Sequence, residues 1–366
     1  MPASPSNAEN LADETRRVYE QAELRLLALI GSYLAKDLDA PDWAELKLLQ
    51  MQLLQGQADQ IMRHVTSEAA IAMAEAVAKA ANRGTALAMS DVEKLLAGAF
   101  AGKPLKPPGG PAVQRILSQL LPLGGRPIHQ QVLRWVMDVY QEVIADTTSH
   151  VLLGVMTRRQ AAEASFQQFA RKGVAGFVDK AGRNWVLESY TEMAVRTAAA
   201  KATTQSYADG LMRAGYDLVI ISNAPQECKQ CRPWEGQVLS LSGNPRVDGV
   251  KTKATLAIAE ADGLFHPNCR HSMSLYQPGV TKRPTRTADP EGDKARQKLR
   301  YLERRVRAER RAQIASLDDD AGFIYAETGK LPPANQRIRD LQAQIRDHVA
   351  TTTAKRQPHR ERLGAL

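Results

Sequence analysis

Cys228, Cys231 and Cys269 are the only cysteines of the chain, and all three fall within about one ninth of it. Cys228-Lys-Gln-Cys231 places two thiols three residues apart, the spacing at which a tight turn aims both sulfurs at one ion. His266-Pro-Asn-Cys269-Arg-His271 follows, with His266 and Cys269 at the same separation. An odd number of clustered cysteines argues against a disulfide framework and for a metal. Three thiolates and one imidazole make a tetrahedral set for which Zn²⁺ suits the mixed sulfur and nitrogen donors. The expected ligands are Cys228, Cys231, His266 and Cys269, holding one structural zinc per chain. His271 either replaces His266 or lies behind the ligands.

The flanks explain why this region would need a metal. Between Ser222 and Pro278 stand nine Gly or Pro residues and few long apolar runs, so the core of the segment is thin. A metal coupled to folding offsets that deficit. Trp234, Phe265 and Tyr276 are expected to pack around the site. Catalytic uses of the same residues fit less well. A redox Cys-x-x-Cys needs a βαβ setting that Arg-Pro-Trp-Glu-Gly does not suggest, and a zinc deaminase has the opposite motif order and a glutamate after the histidine. The enzyme alternative is a metal-dependent nuclease of His-Asn-His type using His266, Asn268 and His271. Its metal needs hard oxygen ligands and open positions, whereas four sulfur and nitrogen ligands close a site.

Around this module the chain is predicted to be mainly α. Helical periodicity runs from about Leu11 to Leu96, with Asp42-Trp-Ala-Glu45 and Ser90-Asp-Val-Glu93 in the form of capping boxes and an alanine-rich stretch at 68–81 that suits a close-packed or partner-facing helix. Gly102 to Pro111 is rich in helix breakers. Apolar stripes return over 128–150 and 158–172, a short hairpin is predicted across 174–187, and helix resumes over 188–212. Leu218-Val-Ile-Ile221 and Val238-Leu-Ser-Leu241 read as strands. The expected organisation is an N-terminal helical bundle over 1–102, a linker over 103–127, a helical domain with a short hairpin over 128–215, a small α+β zinc-knuckle module over 216–280, and a basic C-terminal helical hairpin over 281–366.

Charge is concentrated at the end of the chain. Residues 281–366 hold 20 basic against 12 acidic residues, which accounts for +8 of the net +9. Arg300, Arg304, Arg305, Arg307, Arg310 and Arg311 lie in its densest stretch. Such a helix either pairs with phosphates or an acidic partner, or is a solvated face with internal ion pairs. Leu299, Leu302 and Val306, and again Ile338, Leu341 and Ile345, form narrow seams suited to helix pairing. The N-terminal residues lack a basic region followed by an apolar core, and no run of about 18 apolar residues occurs, so neither a secretory signal nor a membrane span is expected.

Gly173-Val-Ala-Gly-Phe-Val-Asp-Lys-Ala-Gly-Arg-Asn-Trp185, Tyr190-Thr-Glu-Met-Ala-Val-Arg-Thr197, Asp217-Leu-Val-Ile-Ile-Ser222, the Cys228-x-x-Cys-Arg-Pro-Trp-Glu-Gly236 motif and Gly263-Leu-Phe-His-Pro-Asn-Cys-Arg-His271 occur in that order. Together they resemble the phage minor capsid protein 2 family and, more distantly, the minor head-morphogenesis proteins of phage Mu type. The resemblance implies a minor head protein, encoded beside the portal and taken into the assembling capsid. It implies portal and capsid proteins as partners, with packaged double-stranded DNA a further candidate for the basic helix. A virion location after assembly in the bacterial cytoplasm follows, with no membrane contact and no small-molecule substrate. It transfers no catalytic residue. Some members carry a C-terminal toxin or transferase domain; here two helices and a short tail are expected after Pro278.

Overall fold

The computed structural model describes residues 3, 11–95, 111–120, 126–173, 177–178, 184–224, 226–244, 246–247, 249–266, 269–284, 289–317 and 332–363. They are mainly helical, as the periodicity predicts. In chain order the helices are α1 (Asp13–Ala35), α2 (Trp43–Leu49), α3 (Met51–Leu95), α4 (Pro111–Leu120), α5 (Arg126–Leu152), α6 (Arg158–Lys172), α7 (Leu187–Arg213), α8 (Leu256–Ala261), α9 (Pro290–Ile314) and α10 (Gln336–Ala350). The strands are β1 (Phe177–Val178), β2 (Asn184–Trp185), β3 (Leu218–Ile221), β4 (Val238–Ser240), β5 (Arg246–Val247), β6 (Val250–Lys251), β7 (Ala254–Thr255) and β8 (Met273–Leu275).

Two local expectations are corrected. No helix starts at Ser90, because α3 runs unbroken through Ser90-Asp-Val-Glu93 to Leu95. Leu87, Ala88 and Val92 are buried along that stretch, and their packing outweighs a local cap worth about 1 kcal/mol. At Asp42 helix α2 does begin, but the aspartate side chain makes no capping bond. The complete capping box lies at Thr157 instead, where the hydroxyl accepts from Gln160 N and the Gln160 side chain accepts from Thr157 N. Within the expected linker, residues 103–110 and 121–125 lie outside the described residues, and Pro111–Leu120 is helix.

The chain forms two compact units. One comprises residues 14–70, 122–191 and 297–366. Its core draws on Tyr19, Leu26 and Ile30 of α1 and on Val132, Val136 and Val143 of α5, all buried. The Trp43 indole donates to Leu34 O at 3.1 Å, and Arg158 lies over its ring while donating to the Leu38 and Ala40 carbonyls. Helix α6 ends at Gly173 (φ 69°), where α9 supplies the cap: Arg311 Nε donates to Ala170 O at 3.2 Å, beside the buried Glu23. A cation fits the carbonyl end of a helix because the helix dipole is negative there.

The other unit comprises residues 1–13, 71–121 and 192–296 and contains the sheet. Strand order is β7-β4-β3-β8. β3 pairs antiparallel with β4 (Val219 opposite Leu239) and with β8 (Val219 opposite Leu275), while β7 joins β4 in parallel. Both faces of β3 are covered. Val219 and Ile221 enter a core with Tyr207, Leu211, Leu239 and Met273, whereas Leu218 and Ile220 pack with Val238 on the other face. Burial on both faces explains why Leu218-Val-Ile-Ile221 is continuously apolar instead of alternating. Ala3 bonds both ways with Met273, partnering the exposed side of β8.

Candidate metal centre

Two arms converge on the face of this sheet that carries Val219 and Ile221. The first leaves β3 and turns at Gln226, whose φ of 60° is left-handed. Arg232 N donates to Cys228 O at 3.2 Å and Trp234 N to Cys231 O at 3.0 Å, so a tight turn holds both cysteines before the single 3₁₀ turn Arg232–Trp234. The second arm follows α8, turning at Gly263 and at Phe265 (φ 58°). Cys269 N donates to His266 O at 2.9 Å, closing the second three-residue step. Buried polar bonds fasten the first arm: the Glu227 carboxylate accepts from Arg232 Nε at 2.9 Å and from Asp289 N at 3.0 Å.

The donor atoms form two overlapping triads that share Cys231. Cys228, Cys231 and His266 make one, and Cys231, Cys269 and His271 the other, with the donor atoms of each within 4.8 Å of one another. Cys228 Sγ lies 2.9 Å from His266 Nε2, Cys231 Sγ 3.5 Å from Cys269 Sγ, and Cys269 Sγ 3.5 Å from His271 Nδ1. For zinc–sulfur bonds of about 2.3 Å a tetrahedral edge is about 3.8 Å, close to the two longer separations. The four expected ligands are divided between the triads, with Cys228 and His266 on one side of Cys231 and Cys269, beside His271, on the other. Asn268 of the nuclease alternative lies outside the described residues. His271 is 1% exposed, and its Nε2 is bonded to Glu235 Oε1 at 2.9 Å, so this imidazole faces protein and not a substrate.

The titration pattern suits a metal-binding set. The bond from Cys231, then that from His266, holds the Cys228 thiol down, to about 3. Cys231 again, then His271, lowers Cys269 to about 5. Cys231 itself is pushed well above the ordinary thiol range, first by Cys228 and then by Cys269. Three sulfurs this close cannot all ionise alone, and Cys231 keeps the proton that its neighbours share. A dication removes that conflict by replacing the proton. Around the donors, Trp234, Leu264 and Phe265 share the core that holds Cys231 and Cys269. Tyr276 packs instead on the opposite face of the sheet, with Leu218, Ile220 and Val238.

Two carboxylates of the site have no motif of their own. Glu235 and Glu227 are buried, at 1% and 2% exposure, yet nothing in their spacing separates them from surface glutamates. Only the position of Glu235 in Trp-Glu-Gly, four residues past Cys231, hints at it.

The expected basic surface divides. Arg307 and Arg311 are buried, donating to Arg360 O and to Ala170 O respectively. Arg300 pairs with Glu303 and Gln357, and Arg310 donates to Pro332 O. Arg304 and Arg305 are exposed, with the Arg305 guanidinium 5.9 Å from the Tyr301 ring centre. Among the described residues no helix is long and apolar enough to cross a membrane.

Comparison with known proteins agrees with the resemblance in the motifs. A family model described as phage minor capsid protein 2 matches residues 3–350. A protein of Lactococcus phage LL-H described as "Structural protein" is 28% identical over 223 residues. The match covers 58% of this chain and 57% of that protein, so the chain spans a little over half the length of this curated relative. No solved structure matches.

Proposed function

The chain belongs to the phage minor capsid protein 2 family, and from that premise we propose that it is a structural minor component of a tailed-phage head, acting in head assembly near the portal by binding and not by catalysis. The observation that carries this reading is the family match over residues 3–350. The sequestered imidazole of His271 supports it over the nuclease alternative. Exposed apolar side chains offer surface to portal or capsid subunits: Leu48, Leu49 and Leu53 on α2 and α3, and Leu152, Leu153 and Val155 at and just past the end of α5. Co-expression of the full chain with portal and major capsid protein, followed by gradient sedimentation, tests the proposal. The chain is expected in the head fractions, with less incorporated when Leu48, Leu49 and Leu53 become serine. A chain that stays at the top of the gradient, with the portal in the heads, overturns it.

In this reading zinc is held by Cys228, Cys231, Cys269 and one of the two histidines. When bound it supplies a tetrahedral cross-link between the two arms, and the site has no catalytic duty. The exposed Arg304 and Arg305, with Lys298 about two turns earlier, are assigned to packaged double-stranded DNA. Each phosphate neutralised contributes about 0.9 to the slope of log affinity against log salt. Changing Arg304 and Arg305 to glutamine should lower that slope by about 2 without changing stability. An unchanged slope in a filter-binding titration removes the DNA contact and leaves an acidic protein face as partner.

A further inference from the structure

The zinc reading leaves two histidines for one nitrogen position, and the geometry around them is not equivalent. We propose that Glu235 is a positioning residue that orients His271, making His271 Nδ1 the nitrogen ligand beside Cys228, Cys231 and Cys269. This inference rests on the zinc reading.

The side chains of Glu235 and His271 are 1% and 2% exposed, and Oε1 lies 2.9 Å from Nε2. The same oxygen accepts from Ala224 N at 3.1 Å, so the backbone leaving β3 fixes the carboxylate. A buried acid and imidazole are costly to desolvate, and a site gains from them when the pair has a task. A carboxylate that takes the proton of one ring nitrogen leaves the other with a bare lone pair and raises its basicity, the arrangement found behind metal-bound histidines. Here that other nitrogen is Nδ1, 3.5 Å from Cys269 Sγ. His271 N also donates to Cys269 Sγ at 3.4 Å, so ring and sulfur are held on one side of the site.

His266 has a different setting. It is half-buried, its carbonyl closes the turn to Cys269 N, and its Nε2 lies 2.9 Å from Cys228 Sγ. That places it to donate a hydrogen bond to the Cys228 thiolate, which tunes a ligand sulfur without occupying a metal position.

The two nitrogens differ in kind, and this makes the assignment testable in the full-length chain. Cd²⁺-loaded protein labelled with ¹⁵N-histidine should show metal coupling at an Nδ1; His266 would ligate through Nε2. Zinc competition against a chromophoric chelator supplies the second readout. Glu235→Gln is expected to weaken zinc by about 10- to 100-fold while the Co²⁺-substituted protein keeps its tetrahedral absorption. His271→Ala should lose that absorption and His266→Ala should retain it. Coupling at an Nε2, or wild-type zinc affinity in Glu235→Gln with loss confined to His266→Ala, overturns the assignment and leaves the zinc site standing. A wild-type chain that takes up neither Zn²⁺ nor Co²⁺ overturns both.

Discussion

Serine at both Cys228 and Cys231 is expected to remove about one bound zinc per chain and to lower the melting temperature of the sheet-bearing unit by about 8–16 °C. The argument begins with what holds the two arms. Between β3 and β8 the described strands are at most three residues long, and the two arms turn on left-handed positions at Gln226, Gly263 and Phe265. Left-handed backbone at a non-glycine residue costs about 1–3 kcal/mol and persists where the surroundings impose it. Structural zinc in small modules carries apparent binding energies of about 10–16 kcal/mol. This unit keeps an apolar core of its own, built on Tyr207, Leu211, Val219 and Trp234, so only part of such an energy is needed for folding. A loss of about 4 kcal/mol in a unit of this size corresponds to a fall of about 8–16 °C. Buried serine at Cys231 adds its own cost, so the control is a chelator. Wild-type protein stripped of zinc should melt with the double variant when both are followed by calorimetry and elemental analysis. No zinc in the wild type, or an unchanged transition after stripping, would mean that the thiols are ordinary core groups.

How far this site is legible in the sequence follows from what each feature depends on. The i,i+3 spacing of Cys228 with Cys231, and of His266 with Cys269, is local geometry, and the structure places Cys228, Cys231 and His266 in one triad and Cys231 and Cys269 in another with His271. The choice between His266 and His271 depends on Glu235, a partner 36 positions from His271, and a long-range pairing leaves no local pattern. The same distinction holds on α9. Arginine density predicts a basic surface, but Leu299, Glu303, Arg307 and Arg311 form one i,i+4 row, and all four are buried. The apolar seam that begins at Leu299 therefore continues through two arginines whose charges are taken by Arg360 O, Ala170 O and Glu23. Counting charges sees nine basic residues between 294 and 311, whereas the helical row separates those turned inward from Arg304 and Arg305. Strands were readable where burial on both faces made the run apolar, as at β3. The two-residue β5, β6 and β7 have no such run.

The alanine-rich stretch of α3 carries the second large effect. Ala76, Val77, Ala80 and Ala81 are buried, and the Thr203 hydroxyl of α7 donates to Ala80 O at 3.2 Å. One turn on, a Cβ built on Gly84 would stand 2.2 Å from Thr203 O and 3.0 Å from Ser206 Cβ; further along, one on Gly210 would stand 2.7 Å from Ala88 Cβ. Small residues on both helices thus allow their backbones to approach, and the obstacle to a side chain at Gly84 is a carbonyl that no rotamer change can move aside. Alanine favours a helix interior over glycine by about 1 kcal/mol. Overpacking a dense interior costs about 1–3 kcal/mol and sometimes more, and a clash with backbone belongs at the upper end. Gly84→Ala should therefore lower stability by about 2 kcal/mol net or more. Gly56 is the internal comparison, since it lies on the same helix with nothing within 4 Å of its Cβ direction. Gly56→Ala is free to express the helix preference and should stabilise by up to about 1 kcal/mol. Opposite signs for one substitution on one helix, measured by urea unfolding of the two full-length variants, would tie the effect to the α3 and α7 approach. Stabilisation by both would show that the helices are not held together at Gly84.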